Sequence, residues 1–168
     1  LCLHLWDRYE FSGDEAALRR IYPLMKGAAE FFLDTLQEDP RRGWLVTSPS
    51  ISPENAHPFG TSVCAGPTMD MQILRDLFAH TIQTADKLGV DAPLRAQLAA
   101  ARARLAPNQI GSAGQLQEWM EDWDMQAADI NHRHVSHLYG LFPGRDFNRL
   151  DNPPLAAAAK KSLEIRGD

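Results

Sequence analysis

From Asp14 onward the chain keeps a helical beat of apolar residues. Leu18, Tyr22, Met25, Ala29, Phe32 and Leu36 recur every three or four positions, the spacing that lines up one face of a helix. Ile21, Leu24, Ala28 and Phe31 widen that stripe beyond one face. The pattern predicts a helix over 14–37 that is covered by neighbours on more than one side. Asp14 can cap it, Glu15 suits the positive end of its dipole, Pro23 should kink it, and Pro40 lies beyond its end. A helix this apolar needs other helices to bury it, and the sequence supplies them. Positions 68–89 carry Met71, Leu74, Leu77, Phe78, Ile82, Ala85 and Leu88 at helical spacing, with Thr68 as candidate N-cap and Gly89 as stop. Positions 92–105 place Leu94, Leu98, Ala101 and Leu105 on one face and Arg95, Gln97, Arg102 and Arg104 on the others, as on an outer helix. Positions 134–142 read as a short helix ended by Pro143-Gly144. Positions 153–165 read as an alanine-rich helix with proline in its first turn. No stretch carries a convincing strand pattern. The expected class is all-α, a toroid or bundle of helical hairpins whose long loops gather at one end and form a site.

Composition narrows the partners. Of 168 residues, 44% are hydrophobic and 23% charged, which excludes disorder as the dominant state. No apolar run approaches the ~18 residues a spanning helix needs. Seventeen basic against 22 acidic residues leave a net charge of -5. That balance argues against nucleic acid and against an anionic membrane as main partners. Cys2 and Cys64 offer neither a disulfide framework nor zinc spacing. The aromatic opening run at 1–11 and the stop directly after a helical pattern read as a piece of a longer chain.

The loops hold the unusual residues. Positions 43–67 are an irregular stretch with Pro49, Pro53, Pro58 and Pro67, too long for an idle connection. Within it, Thr47-Ser48-Pro49-Ser50-Ile51-Ser52-Pro53-Glu54-Asn55 stiffens the backbone around Glu54, the one acidic residue between Asp39 and Asp70. A lone carboxylate beside Trp44 and Phe59 can hold a proton and act as a general acid; equally it can be a solvated loop glutamate. Positions 118–124 interleave Glu118, Glu121, Asp122 and Asp124 with Trp119 and Trp123. Such a run can bind sugar hydroxyls and stack on sugar faces, or it can be an acidic turn anchored by tryptophans. His132, His134 and His137 flank Arg133 at spacings of two and three, which is not the i, i+4 pair of a zinc protease. Core histidines, a metal site and an Arg/His cluster that hydrogen-bonds a neutral polyol all remain open. The serines lack a nucleophile-elbow pattern.

Several stretches together resemble glycoside hydrolase family 95, the inverting 1,2-α-L-fucosidases and related α-L-galactosidases. They are residues 44–55, Gly66-Pro67-Thr68-Met69-Asp70, Gly114-Gln115-Leu116-Gln117-Glu118-Trp119, His132-Arg133-His134 with Ser136-His137-Leu138, residues 5–13, and residues 163–168. The resemblance implies an (α/α)6 barrel, of which 168 residues hold only part: twelve helices of about 12 residues with loops of about 6 already exceed roughly 200. It implies that residues 1–168 are a stretch of that catalytic domain, truncated at both ends. It casts Glu54 as general acid and Asp168, in Arg166-Gly167-Asp168, as general base. Arg133 and His134 resemble the pair that contacts fucose, and Asn55, Trp119 and His137 are further candidate substrate contacts. The implied substrate is an oligosaccharide or glycan with a terminal α-L-fucosyl or α-L-galactosyl group, and no metal or cofactor is required. The rival readings are a non-catalytic helical module that binds carbohydrate or protein, and a metal-dependent hydrolase built on the histidines.

Overall fold

The computed structural model describes residues 2–167. It contains five α-helices: α1 (Cys2–Ser12), α2 (Glu15–Thr35), α3 (Thr68–Leu88), α4 (Ala92–Arg104) and α5 (Pro153–Arg166). Between them lie four two-residue strands, β1 (Gln37–Glu38), β2 (Leu45–Val46), β3 (Ser50–Ile51) and β4 (Val63–Cys64), and single 3-10 turns at Asp124–Gln126 and Ser136–Leu138. No described helix is long and apolar enough to cross a membrane. The chain divides into two compact units: residues 1–36 with 74–105, and residues 37–73 with 106–168.

The first unit is helical throughout. Asp14 caps α2 as its carboxylate accepts from the Ala17 N–H at 3.0 Å, a bond worth ~1 kcal/mol. Pro23 does not interrupt α2, which runs unbroken to Thr35. The buried stripe is Leu18, Tyr22, Met25 and Ala29. Trp6 joins Leu18 and Met25 in one core cluster and stacks on His80 with ring centroids 4.6 Å apart. Among the described residues one face of α2 is buried, and Leu24 and Phe31 are 59% and 58% exposed. The Tyr22 hydroxyl donates to Asp91 at 2.7 Å and Lys26 donates to the same oxygen at 3.0 Å, which fastens α2 to the start of α4. Helix α1 was not legible as a helix; its stripe is short, and the sequence reads there only as an aromatic-rich run.

The second unit is mostly loop, with α5 and the first residues of α3. Its core cluster is Leu116, Leu138, Phe147, Ala158 and Ala159. Pairing of β1 with β2 and of β3 with β4 makes two antiparallel ladders of two residues per strand. The sequence shows no convincing strand pattern at these positions. Two residues per strand are too few for period-two alternation to register. The short helix expected over 134–142 is only the turn Ser136–Leu138. Thr68 is not an N-cap: the first turn of α3 bonds back to the Pro67 carbonyl, and the Thr68 hydroxyl donates to the Gln117 carbonyl at 2.6 Å.

Candidate active site

The loop at 47–55 is held at both ends. Asp70, in the first turn of α3, accepts hydrogen bonds from the Thr47 and Ser50 hydroxyls, each at 2.6 Å. Gly66 donates its N–H to the Thr47 carbonyl at 2.9 Å. With φ at +55° and an added Cβ only 2.8 Å from Val46 Cγ1, only glycine fits there. Beyond the loop, His57 ties off the turn between β3 and β4. Its Nδ1 accepts from the Phe59 N–H at 3.2 Å, so its Nε2 donates to the Val63 carbonyl at 3.0 Å. Within this frame Glu54 has φ at +57°, a left-handed backbone that is uncommon for a residue with a side chain. Its flanking residues Ser52 and Asn55 turn inward and are buried, whereas Glu54 turns out.

A second loop meets Glu54 there. The segment 137–140 hangs on the fully buried Gln72, whose amide donates to the His137 carbonyl at 2.9 Å and accepts from the Gly140 N–H at 2.8 Å. Upstream, the His134 N–H donates to His132 Nδ1 at 3.2 Å. Arg133 then donates from Nη2 to Glu54 Oε2. His134 donates from Nδ1 to the Pro53 carbonyl at 3.3 Å, which leaves its Nε2 3.8 Å from Glu54 Oε2. Arg133 and Glu54 are 71% and 59% exposed, so their ion pair is worth only about 0.2–1 kcal/mol and opens readily. Arg133 and His134 border an open depression of about 420 Å³ whose other lining is mostly apolar, with Met69, Val135 and Phe142 beside Ser136 and Tyr139.

Beneath the surface lies a buried polar cluster. Glu118 is 1% exposed. It accepts from Ser52 Oγ through Oε1, and from Asn55 Nδ2 (2.9 Å) and Arg166 Nη2 through Oε2. Asp124 accepts from the Glu118 N–H at 2.9 Å. Burial, with the Glu118 charge adding to it, pushes the Asp124 carboxyl up to about 7. Burial, with Arg166 adding to it, pushes the His137 imidazole down to about 3, so it is neutral. Among the described residues, Asp124 Oδ2, His137 Nδ1 and Gln115 Oε1 have no hydrogen-bond partner. Their residues line a space of about 10 Å³, close to the room of one water.

A family model described as "Glycosyl hydrolase family 95 catalytic domain" matches residues 1–168. The chain belongs to glycosyl hydrolase family 95. It is similar to "Alpha-L-fucosidase 2" of Arabidopsis thaliana, with 38% identity over 174 residues covering 100% of this chain and 20% of the relative. It is also similar to "Probable alpha-fucosidase A" of Aspergillus niger, with 36% identity covering 98% of this chain and 21% of the relative. The chain spans about a fifth of the length of the curated relatives it matches.

Of the family 95 residues singled out in the sequence, Glu54, Arg133 and His134 come together at the surface. Asp168 lies outside the described residues. Asn55, Trp119 and His137 are placed differently from expectation. All three are buried. Asn55 is drawn inward by the Glu118 carboxylate. Trp119 packs edge-on against His57, and His137 sits under the loop that carries Arg133. Among the described residues no three His, Cys, Asp or Glu side chains form a group able to hold a metal; the His132 and His134 rings meet edge to face instead. Sequence reasoning gave Gln72 and Asp70 no part of their own. Each is a polar residue on a helix, and only its long-range partners reveal its part.

Proposed function

We propose that this chain carries part of the catalytic site of a glycosidase that removes terminal α-L-fucosyl or α-L-galactosyl groups with inversion. The observation that carries the reading is the meeting of Glu54 with Arg133 and His134, from two loops, where Arg133 and His134 border a mostly apolar depression. Membership of family 95 and the fucosidase names of the relatives support it. In this reading Arg133 exchanges its weak contact with Glu54 for hydroxyls of the sugar. Glu54, protonated, gives its proton to the leaving glycosidic oxygen. Asp168 takes a proton from the water that attacks the opposite face of the ring, and solvent restores both carboxyls. Inversion asks for the two carboxyls about 6.5–9.5 Å apart, with room for that water between them. Glu54 and Asp168 are 168 − 54 = 114 positions apart, so only the tertiary fold can set that distance. Residues 1–168 are, in the same reading, a stretch of an (α/α)6 catalytic domain.

The test uses the natural-length protein. Glu54→Gln should lower kcat roughly 10²–10⁴-fold on fucosides with poor leaving groups, with less loss on aryl fucosides whose leaving group needs no proton. The first-formed product, followed by NMR, should be the β-anomer. Near wild-type turnover in Glu54→Gln, or an α-anomer as first product, removes the assignment.

A further inference from the structure

We infer that Glu118 is a positioning residue, one buried carboxylate that sets the Glu54 loop against the end of α5 from which Asp168 follows. The inference rests on the proposed reading of those two carboxyls. Glu118 is 1% exposed, where an isolated carboxylate is costly and must be paired and hydrogen-bonded. Its partners are not neighbours in sequence. Ser52 and Asn55 bracket Glu54, and Asn55 is bonded at 2.9 Å. Arg166 is two positions before Asp168 and reaches Glu118 from the last turn of α5. The two proposed catalytic carboxyls are therefore each within two residues of a Glu118 contact, on segments more than a hundred positions apart.

The same end of α5 is fastened a second time. Arg166 Nη1 donates to the Ile130 carbonyl at 3.0 Å, and Asn131 Nδ2 donates to the Ile165 carbonyl at 2.9 Å. Asn131 leads directly into His132 and Arg133. Glu118 is itself fixed through its backbone: its N–H donates to Asp124 at 2.9 Å, and its carbonyl accepts from the Thr68 N–H at 3.0 Å. A buried ion pair is a weak device for stability, since apolar residues of equal volume do as well. It is a strong device for geometry, because its guanidinium and carboxylate accept few arrangements. The exposed Glu54 and Arg133, with their easily opened contact, need such a rigid base to keep the acid aimed.

The test is Glu118→Gln in the natural-length protein, with Ser52→Ala as the milder variant that removes one hydroxyl. Glu118→Gln should lower kcat by about 10²-fold, the cost of a misplacement near 1 Å, with KM little changed. The loss should be similar on good and poor leaving groups, because acid and base are both displaced. Glu54→Gln, by contrast, spares good leaving groups. Ser52→Ala should lower kcat less, and in the double variant the two losses should fall short of adding. A Glu118→Gln protein that melts earlier yet turns over at the wild-type rate well below its Tm overturns the inference. If Glu118→Gln does not fold, unchanged kcat in Ser52→Ala overturns it. A wild-type protein that hydrolyses neither α-L-fucosides nor α-L-galactosides defeats the functional reading and takes this inference with it. An active wild type with an active Glu118→Gln defeats this inference alone.

Discussion

Glu54 stands out because its backbone and its side chain answer to different partners. The left-handed φ turns Ser52 and Asn55 inward on either side of it, and that arrangement leaves the carboxyl outside, where Arg133 and His134 meet it. Arg133 is more exposed than Glu54, so its loss should cost little stability. Its value lies in hydrogen bonds to substrate, and a bond from a charged donor is worth about 1.5–3 kcal/mol. Arg133→Ala should therefore raise KM by roughly 10–150-fold and leave the thermal midpoint nearly unchanged, as steady-state kinetics and a melting curve on one preparation would establish. A large drop in Tm with an unchanged KM would make Arg133 structural.

At the scale of elements, the site depends on side chains that join loops to helices. Gln72 on α3 carries the turn at 137–140, and a Cβ on Gly140 would come within 2.9 Å of the Gln72 amide carbon. Gln72 is held by three hydrogen bonds and cannot give way. Gly140→Ala should cost about 1–3 kcal/mol by overpacking, read as a shift in denaturation midpoint. Asp124 and His137 make a second prediction. Asp124 is raised to about 7 from an ordinary 3.8, so the stability it confers is full below the ordinary value and is lost as pH rises to 7. His137 is lowered to about 3 from 6.5, so its stability is full above 6.5 and is lost as pH falls to 3. Between pH 4 and 6.5 the two slopes oppose each other, each up to about 1.4 kcal/mol per pH unit. The wild type should be nearly level across that window. Asp124→Asn should lose stability on acidification from pH 6.5 to 4, and His137→Gln should lose it as pH rises from 4 to 7. Hydrogen exchange of the amides at 116–138, corrected for the intrinsic pH dependence, reads both. Parallel slopes in all three proteins would show that neither group titrates as placed.

For the molecule as a whole, the helical unit and the loop-rich unit divide the work. The first buries Trp6, Leu18 and Met25. The second holds every candidate site residue that is described. Because the chain spans about a fifth of its fucosidase relatives, the activity proposed here should belong to the natural-length protein. Residues 1–168 expressed alone should give no measurable turnover of an aryl α-L-fucoside, whereas the natural-length protein should; equal rates in both would place the whole site within this chain.

What the sequence determined by itself is local. The apolar periodicity of α2, α3 and α4 set those helices to within a residue or two, because a 3.6-residue repeat is written in adjacent positions. Asp14 as a cap, and the proline-stiffened setting of Glu54, were legible for the same reason. The motifs around Glu54, Arg133 and His134 marked the family through residue order alone. What only the tertiary structure decided is which polar residues face each other. That Glu118 binds Ser52, Asn55 and Arg166, and that Trp119 and His137 are interior, follow from long-range packing. A carboxylate or an indole carries the same letter whether it is buried against a partner or turned to solvent; its surroundings, assembled from segments far apart in the chain, fix its role.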